Sequence, residues 1–188
     1  MKLIIASNNK HKIYEIKKIL GDKFEEILSL SESGIVHETV EDGITFAQNA
    51  YKKAREIAEI SGQAALADDS GICVEALGGA PGVYSARFSG GTDEDNNRLL
   101  VEKLKGETNR RAYYACAVSL VYPDGRRVDA EGYMHGSIVD IPRGNRGFGY
   151  DPHFVPEGET RTVAELTDDE KNAISHRARA LGALLAKL

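Results

Sequence analysis

Two neighbouring carboxylates, Asp68 and Asp69, carry the clearest chemical signal in the sequence. They follow a short apolar run, Ala64 to Ala67, that is typical of a buried strand, so they are predicted at the carboxyl end of that strand. Ligands of open α/β sheets bind outside such strand ends. A buried pair of carboxylates repels itself and needs a cation, for which Mg²⁺ with a phosphate ester is the natural partner. An exposed turn is the alternative interpretation.

Two polar segments precede predicted helices. Ser7 to Lys12 offers hydroxyl, amide and ammonium groups at a helix N-terminus, where anions bind, although an ordinary helix cap is favoured for this segment taken alone. It contains no Gly-Lys-Ser/Thr sequence, which excludes a P-loop. Glu41 to Gly43 precedes the second helix, so its carboxylates are hard-cation ligands or residues of a helix start, and the helix start is favoured taken alone.

Two later segments could bind a planar or anionic group. In Gly147 to Pro152, aromatic residues flank a glycine that allows close approach, and an acid follows, but a plain turn explains the segment equally well. Lys171 and Ser175 share a face of a predicted helix at a spacing of four residues, with His176 and Arg177 beside them. These donors could grip an anion or a keto oxygen, whereas a lone histidine in a helix is more often structural.

The elements that must position these residues alternate between strands and helices. Strands are predicted at Leu3–Ala6, Ala64–Ala67, Ala112–Tyr122 and Arg126–Tyr133, with a continuation of the last to Ile138 left open. Helices are predicted at Ile13–Leu20, Thr45–Ser61 and Asp93–Lys105, and from the capping box of Thr167 and Glu170 through Leu185. Since Pro123-Asp124-Gly125 predicts a hairpin turn, the sheet should be mixed.

Composition narrows the class of protein. A chain of 188 residues predicts one domain, with two lobes as an option, and its net charge of 24 − 29 = −5 disfavours nucleic acid or an anionic membrane as partner. The apolar runs are too short for a membrane span. Cys73 and Cys116 are the only cysteines and lack zinc-ligand spacing, which favours a reduced, cytoplasmic location.

Taken together and in this order, the segments resemble the inosine triphosphate pyrophosphatase (Ham1) family. The matching motifs are Ser7-x-Asn9-x-x-Lys12, Gly43-x-Thr45-Phe46-x-x-Asn49-Ala50-x-x-Lys53-Ala54, Ala67-Asp68-Asp69-Ser70-Gly71, Leu77 to Arg87, Gly147 to Pro152 and Glu170 to Arg177. They span nearly all of residues 1–188. One departure is Gly144-Asn145-Arg146-Gly147, where the family usually has Gly-Thr-Gly-Gly, and the extra cation could alter ligand fit.

The resemblance implies a fold, an activity and partners. It implies an elongated α/β fold with a mixed sheet flanked by helices, and two lobes with a central active-site cleft. It further implies Mg²⁺-dependent hydrolysis of ITP, dITP and XTP to the nucleoside monophosphate and pyrophosphate, by a homodimer.

The resemblance also implies residue roles. Ser7, Asn9, Lys12 and Lys53 would hold the triphosphate, and Ser70 would contact substrate. Glu41 and Asp69 would hold Mg²⁺, with Asp68 a weaker candidate, and Asp69 would activate the attacking water. In the base pocket, with Gly149 and Tyr150 in its loop, Phe148 would stack on the base, Asp151 and Arg177 would read its edge, and Lys171 and His176 would complete the site.

Two other functions stay open at this point. One is a pyrophosphatase for other modified nucleotides, such as methylated pyrimidines, as in the structurally similar Maf-like proteins. The other is a module that binds nucleotides without hydrolysing them, which the acidic residues Glu41, Asp68 and Asp69 disfavour.

Overall fold

The structure is a computed structural model that describes residues 1–188, apart from the side chain of Asp22. Its described helices are α1 (Lys10–Leu20), α2 (Phe46–Ser61), α3 (Asp93–Lys103), α4 (Asp168–Ile174) and α5 (His176–Leu185). Its strands are β1 (Lys2–Ile5), β2 (Glu26–Ser29), β3 (Ala64–Val74), β4 (Arg111–Val121), β5 (Arg127–Ile138) and β6 (Phe154–Pro156). None of the described helices has the length and hydrophobicity that a membrane span requires.

The strands form one sheet in the order β2-β1-β3-β4-β5-β6. Strand β1 pairs in parallel with β2 and β3, whereas β5 and β6 are antiparallel. The predicted α/β class with a mixed sheet is therefore confirmed.

The chain divides into two compact units. Unit 1 contains Met1–Asp69, Cys116–Gly132 and Arg177–Leu188, and unit 2 contains Ser70–Ala115 and Tyr133–His176. Each unit has a core of its own and a share of the predicted site residues.

In unit 1 both faces of the sheet are covered. Leu3 and Leu66 pack with residues of α1 and α5 on one face, while Ile4 and Ala65 pack with residues of α2 on the other. Because successive strand residues point to opposite faces, a strand buried on both sides reads as a continuous apolar run. This explains the unbroken apolar segments at the starts of β1 and β3.

In unit 2 one core cluster joins the strands to α3. Ile72 of β3, Tyr114 of β4 and Phe154 of β6 pack with Leu100 and Leu104. Tyr114 is buried in this cluster, so its side chain lies on the face of β4 that packs against the core.

Several predicted helix ends are confirmed. Gly21 and Gly62 follow the last residues of α1 and α2, and Gly62 adopts a left-handed φ of 63°. Thr167 and Glu170 form the predicted capping box at the start of α4.

Two predictions of element bounds were wrong, and two strands were missed. Strand β3 does not end before Asp68 but continues to Val74, because the polar residues in its middle find partners inside the protein. The predicted last helix is two helices, since Ser175 is extended with ψ 153° and separates α4 from α5. Strands β2 and β6 were not predicted, as four and three residues give too little periodicity.

A substitution at Gly136 tests the pairing of β5 with β6. A Cβ atom there would lie 2.2 Å from the carbonyl oxygen of Val155 and 2.7 Å from the ring of Phe154. Since backbone cannot move aside cheaply, we expect Gly136→Ala to lower the free energy of unfolding by roughly 1–3 kcal/mol or more. Urea denaturation measures the change.

Gly182→Ala is the matched control. Gly182 lies in α5, and a Cβ atom there would meet no atom within 4 Å. Helix propensity predicts a gain of up to about 1 kcal/mol. Equal stability of the two variants would contradict the close approach at Gly136.

Candidate active site

Asp68 and Asp69 lie on opposite faces of β3. Adjacent strand residues alternate in direction, so Asp68 faces α1 and α5, and Asp69 faces α2. Both are buried. The predicted need of this buried pair for positive charge is met in part by Lys12 and Lys53, whose charges act to lower the pKa of both carboxylates. That the pair takes Mg²⁺ stays a prediction.

Asp68 belongs to a buried cluster of charges. Its Oδ2 accepts hydrogen bonds from Nε and Nη2 of Arg177 at 3.2 and 3.1 Å and lies 3.2 Å from Nζ of Lys12. Arg177 is fully buried and also donates to Glu15. Burial opposes ionisation of Asp68, but the charges of Lys12 and Arg177 outweigh it and hold its pKa well below the usual range.

Cys116 lies beside the same carboxylate, with its Sγ 3.9 Å from Oδ2 of Asp68. Burial and the nearby negative charge raise the pKa of the thiol to about 12. The thiol therefore stays protonated near neutral pH and is unsuited to nucleophilic chemistry.

Asp69 has a different environment on the other face. Nδ2 of Asn49 donates to its Oδ2 at 3.1 Å, and Nζ of Lys53 lies 3.7 Å from its Oδ1. Burial raises the pKa of Asp69 to about 6, helped by the charge of Glu41 and opposed by that of Lys53. A carboxyl with that pKa is ionised at neutral pH and basic enough to accept a proton.

Helix α2 also holds the segment that carries Glu41. Nζ of Lys53 donates to Oε1 of Glu41 at 3.3 Å, and the backbone N–H of Gly43 donates to Oδ1 of Asn49 at 2.8 Å. A Cβ atom at Gly43 would lie only 2.6 Å from that oxygen, so a glycine is needed there. The cap of α2 is Thr45, so the favoured interpretation of Glu41 as a helix-start residue was wrong.

These two carboxylates suit a hard divalent cation. No group of three or more His, Cys, Asp or Glu residues in the described part of the chain could hold a metal. Mg²⁺, however, keeps several water ligands and often uses only one or two protein carboxylates. Glu41 and Asp69 already share the ammonium of Lys53, and the raised pKa of Asp69 shows that its charge is incompletely compensated. The donor set therefore fits Mg²⁺.

The predicted phosphate-binding segment forms the start of α1. Asn9 caps the helix by accepting the N–H groups of His11 and Lys12, and Oγ of Ser7 accepts the N–H of Asn9. The cap interpretation is thus correct for these backbone groups. Any anion bound here would be held by the side-chain donors of Ser7, Asn9 and Lys12.

In unit 2, Asp151 organises the loop that contains Phe148. Its Oδ2 accepts from Nζ of Lys171 at 3.0 Å and from the backbone N–H of Phe148 at 3.1 Å, and its Oδ1 accepts from the hydroxyl of Tyr114 at 3.0 Å. The ammonium of Lys171 lies 4.7 Å from the centre of the Phe148 ring, within cation–π distance.

Helix α3 holds the same loop through Gly149. Asp93 accepts the backbone N–H of Gly149 at 3.1 Å, and Asn97 donates to its carbonyl oxygen at 3.0 Å. Tyr150 is buried, and its hydroxyl donates to the backbone oxygen of Ser85 at 2.6 Å. Both residues are thereby fixed in place.

The remaining predicted residues are divided between the units. Ser70 is half-buried in β3, and His176 is buried with its ring stacked on that of Tyr114 at 4.7 Å and 11°. That Asp151 and Arg177 read a base edge stays a prediction. In the structure Arg177 binds Asp68 and Glu15 in unit 1, and Asp151 binds its own loop in unit 2.

Sequence reasoning missed the roles of Asn49, Tyr114 and Glu15. Asn49 interrupts the apolar stripe of α2, and a polar residue in such a stripe is a usable signal for a buried partner. Tyr114 occurs in an apolar strand and Glu15 among polar helix residues, so local pattern does not single either of them out.

A groove of about 760 Å³ lies elsewhere on unit 2. Its lining includes Cys73, Tyr113, His135 and Val155, and contains no predicted site residue. The groove is therefore separate from the residues of the candidate site.

The contrast between the two carboxylates predicts opposite effects on stability. We expect Asp68→Asn to lower the free energy of unfolding by roughly 3–5 kcal/mol, because it breaks a buried ion pair. Asp69→Asn should raise the stability of the metal-free protein at pH 8 by up to about 3 kcal/mol. The reason is that the native pKa of about 6 lies above the ordinary value of an aspartate in an unfolded chain, so ionisation of Asp69 opposes folding.

Urea denaturation in EDTA measures both changes. In the wild type, the stability that depends on a protonated Asp69 is present at low pH and is lost as the pH rises from about 4 to 6. The higher free energy of unfolding of Asp69→Asn should therefore be absent at pH 4. Changes of the same sign for the two variants at pH 8 would refute the assigned environments.

Comparison with known proteins places these features in a family. The Ham1 family model matches residues 3–187. A Clostridium perfringens protein named dITP/XTP pyrophosphatase is 50% identical, over 96% of this chain and 93% of its own length. The structure of the Staphylococcus aureus Ham1 protein superposes with a TM-score of 0.89 at 38% identity, over 100% of this chain and 97% of that one. A Mycobacterium abscessus nucleoside-triphosphatase / dITP/XTP pyrophosphatase gives a TM-score of 0.79 at 47% identity, over 98% and 99%. The chain therefore belongs to the Ham1 family, as the order of its motifs predicted.

Proposed function

We propose that this protein hydrolyses non-standard purine nucleoside triphosphates, ITP, dITP and XTP, to the nucleoside monophosphate and pyrophosphate. The observation that carries the proposal is Asp69, a buried carboxyl with a pKa raised to about 6, set between Asn49 and Lys53 on the strand that bears the family motif. Relatives at 45–50% identity that are named dITP/XTP pyrophosphatase support the substrate class.

The phosphate end of the substrate would be held in unit 1. Lys12 and Lys53 supply positive charge, and Ser7 and Asn9 supply side-chain donors at the start of α1. In the structure Asp68 binds Lys12, so a phosphate would compete with this carboxylate for the ammonium. Ser70, which follows Asp69 in β3 and belongs to unit 2, is a further predicted substrate contact.

Glu41 and Asp69 would hold Mg²⁺. When bound, the ion neutralises developing charge on the phosphate oxygens. Asn49 keeps Asp69 oriented by its hydrogen bond, and Asp69 orients a water molecule and accepts its proton. The water oxygen forms the new bond to phosphorus, the α–β anhydride bond breaks, and pyrophosphate leaves.

The base end would be held in unit 2 by the loop of Phe148. Hypoxanthine and xanthine present an N1–H donor and an O6 acceptor, whereas adenine presents the opposite pattern. A carboxylate has about four acceptor positions, and protein donors use three of those on Asp151. One position is left for N1–H, while Lys171 offers a cation beside the stacking ring. Arg177 and His176 stay predicted members of this pocket.

A screen of pyrophosphate release tests the function. The substrates are ITP, dITP, XTP, the four common NTPs and their deoxy forms, and a methylated pyrimidine triphosphate, each with Mg²⁺ and with EDTA. Faster release from ITP, dITP and XTP than from every common NTP and dNTP, GTP and dGTP included, supports the proposal, and preference for the methylated pyrimidine would support the Maf-like alternative. Binding without release would mean a nucleotide-binding module.

Asp69→Asn should lower kcat for ITP by roughly 10²-fold or more, because it removes the proton acceptor. Urea denaturation of the same variant shows whether unfolding contributes to the loss. Asp124→Asn, in an exposed turn where Asp124 pairs with Arg126, is the control and should be unaffected. Near-native activity of Asp69→Asn would contradict the assignment of Asp69 as the proton acceptor.

Glu41→Gln should raise the Mg²⁺ concentration needed for half-maximal activity by about tenfold, because one anionic ligand is lost. Direct titration with Mn²⁺ in the absence of nucleotide gives a second readout. Asp42→Asn is the matched control, since Asp42 is more exposed and pairs with Lys52 instead. Equal metal curves for the two variants would remove Glu41 from the metal site.

The homodimer that the family resemblance implies and the cytoplasmic location that the cysteine content favours stay predictions.

A further inference from the structure

Tyr114 occupies a central position in unit 2 that the proposed function leaves unassigned. It lies on β4, is 7% exposed, and packs against Phe154 with ring centres 4.7 Å apart. Its ring stacks on His176, and its hydroxyl donates to Asp151 at 3.0 Å. One side chain of the core thus contacts two residues of the predicted base pocket.

Asp151 is the residue through which Tyr114 can act on the loop. Besides the hydroxyl of Tyr114, it accepts hydrogen bonds from Lys171 and from the backbone N–H of Phe148. A Cβ atom at Gly147 would lie 2.2 Å from its Oδ2, so the loop closes tightly around this carboxylate. Rotation of the carboxylate would therefore disturb the backbone that carries the stacking ring.

The hydroxyl of Tyr114 is a dependable donor. Burial, with the adjacent charge of Asp151, raises the pKa of Tyr114 well above its ordinary value, so the phenol keeps its proton. Its ring contacts the rings of both His176 and Phe154, which limits movement of the hydroxyl. The hydrogen bond to Asp151 is consequently fixed by the core and not by the loop itself.

We propose that Tyr114 is a positioning residue that sets the geometry of base recognition by anchoring Asp151, and through it Phe148. The proposal rests on the proposed function, because it takes the loop of Phe148 as the purine site. Tyr114 does not touch the base. It fixes the residues that do, so it should affect affinity for the base while leaving the chemistry on the phosphates unchanged.

Tyr114→Phe isolates the effect, since it keeps the ring stack and removes only the hydroxyl. We expect KM for ITP to rise about tenfold, while kcat changes less than twofold. This is the result when the variant loses the same binding energy in the ground state and in the transition state. The ratio of kcat/KM for ITP to that for ATP should fall, because a misplaced Asp151 discriminates less. The Kd of IMP should rise about tenfold while the Kd of pyrophosphate stays constant.

Tyr113→Phe is the matched control. Tyr113 is the neighbouring residue on the opposite face of β4, where its ring contacts Tyr133 and His135 and lines the separate groove. All four constants should stay within twofold of the wild type. A thermal melt of each variant shows whether stability changes.

The outcomes separate the proposal from the function. Unchanged IMP affinity and selectivity in Tyr114→Phe would overturn the positioning role even if wild-type protein hydrolyses ITP. Equal losses for IMP and pyrophosphate, or for ITP and ATP, would also overturn it, since they indicate a general structural defect. If wild-type protein binds IMP without hydrolysing ITP, the proposed function fails, and the split between IMP and pyrophosphate still tests Tyr114. Wild-type protein that binds neither IMP nor ITP would overturn both.

Discussion

Two carboxylates next to each other on a buried strand are tolerated only if each finds its own compensation. The pleat of β3 makes this feasible, because it turns Asp68 towards α1 and α5 and Asp69 towards α2. Asp68 is neutralised by Lys12 and Arg177 and becomes a structural anion, whereas Asp69 is incompletely compensated. One residue of separation thus distinguishes a group that stabilises the fold from a group that is left reactive.

The same division of labour recurs in unit 2. Asp151 is held by donors from β4, α4 and its own loop, and this arrangement fixes the backbone of Phe148 through its N–H. Tyr150, although it is aromatic and within the motif, serves the core through Ser85. In both units, therefore, a buried carboxylate with several partners supports a neighbouring group. Asp68 lies beside the less compensated Asp69, and Asp151 holds the loop of Phe148.

Much of this arrangement could be predicted from the sequence, and the limits have physical causes. Helix ends at Gly21, Gly62 and Thr167 depend on local backbone chemistry, which short patterns reveal. Family motifs identified the chain and its fold. The break at Ser175 and the continuation of β3 beyond Ala67 depend on tertiary partners distant in sequence, which no local pattern encodes. For the same reason the sequence marked Asp68 as acidic but gave no sign that Arg177 neutralises it.

The pair of Asp68 and Arg177 also bears on how the protein is made. The two residues are 109 positions apart, and Arg177 belongs to the last helix. At a synthesis rate of 5–20 residues per second, Asp68 exists for roughly 5–20 s before its guanidinium partner. During that interval Lys12 is the cation available to Asp68, and because a carboxylate with incomplete compensation is costly to bury, packing of β3 into unit 1 is less favourable than in the finished chain. Synthesis of the helix that carries Arg177 therefore completes the charge compensation of a strand made much earlier.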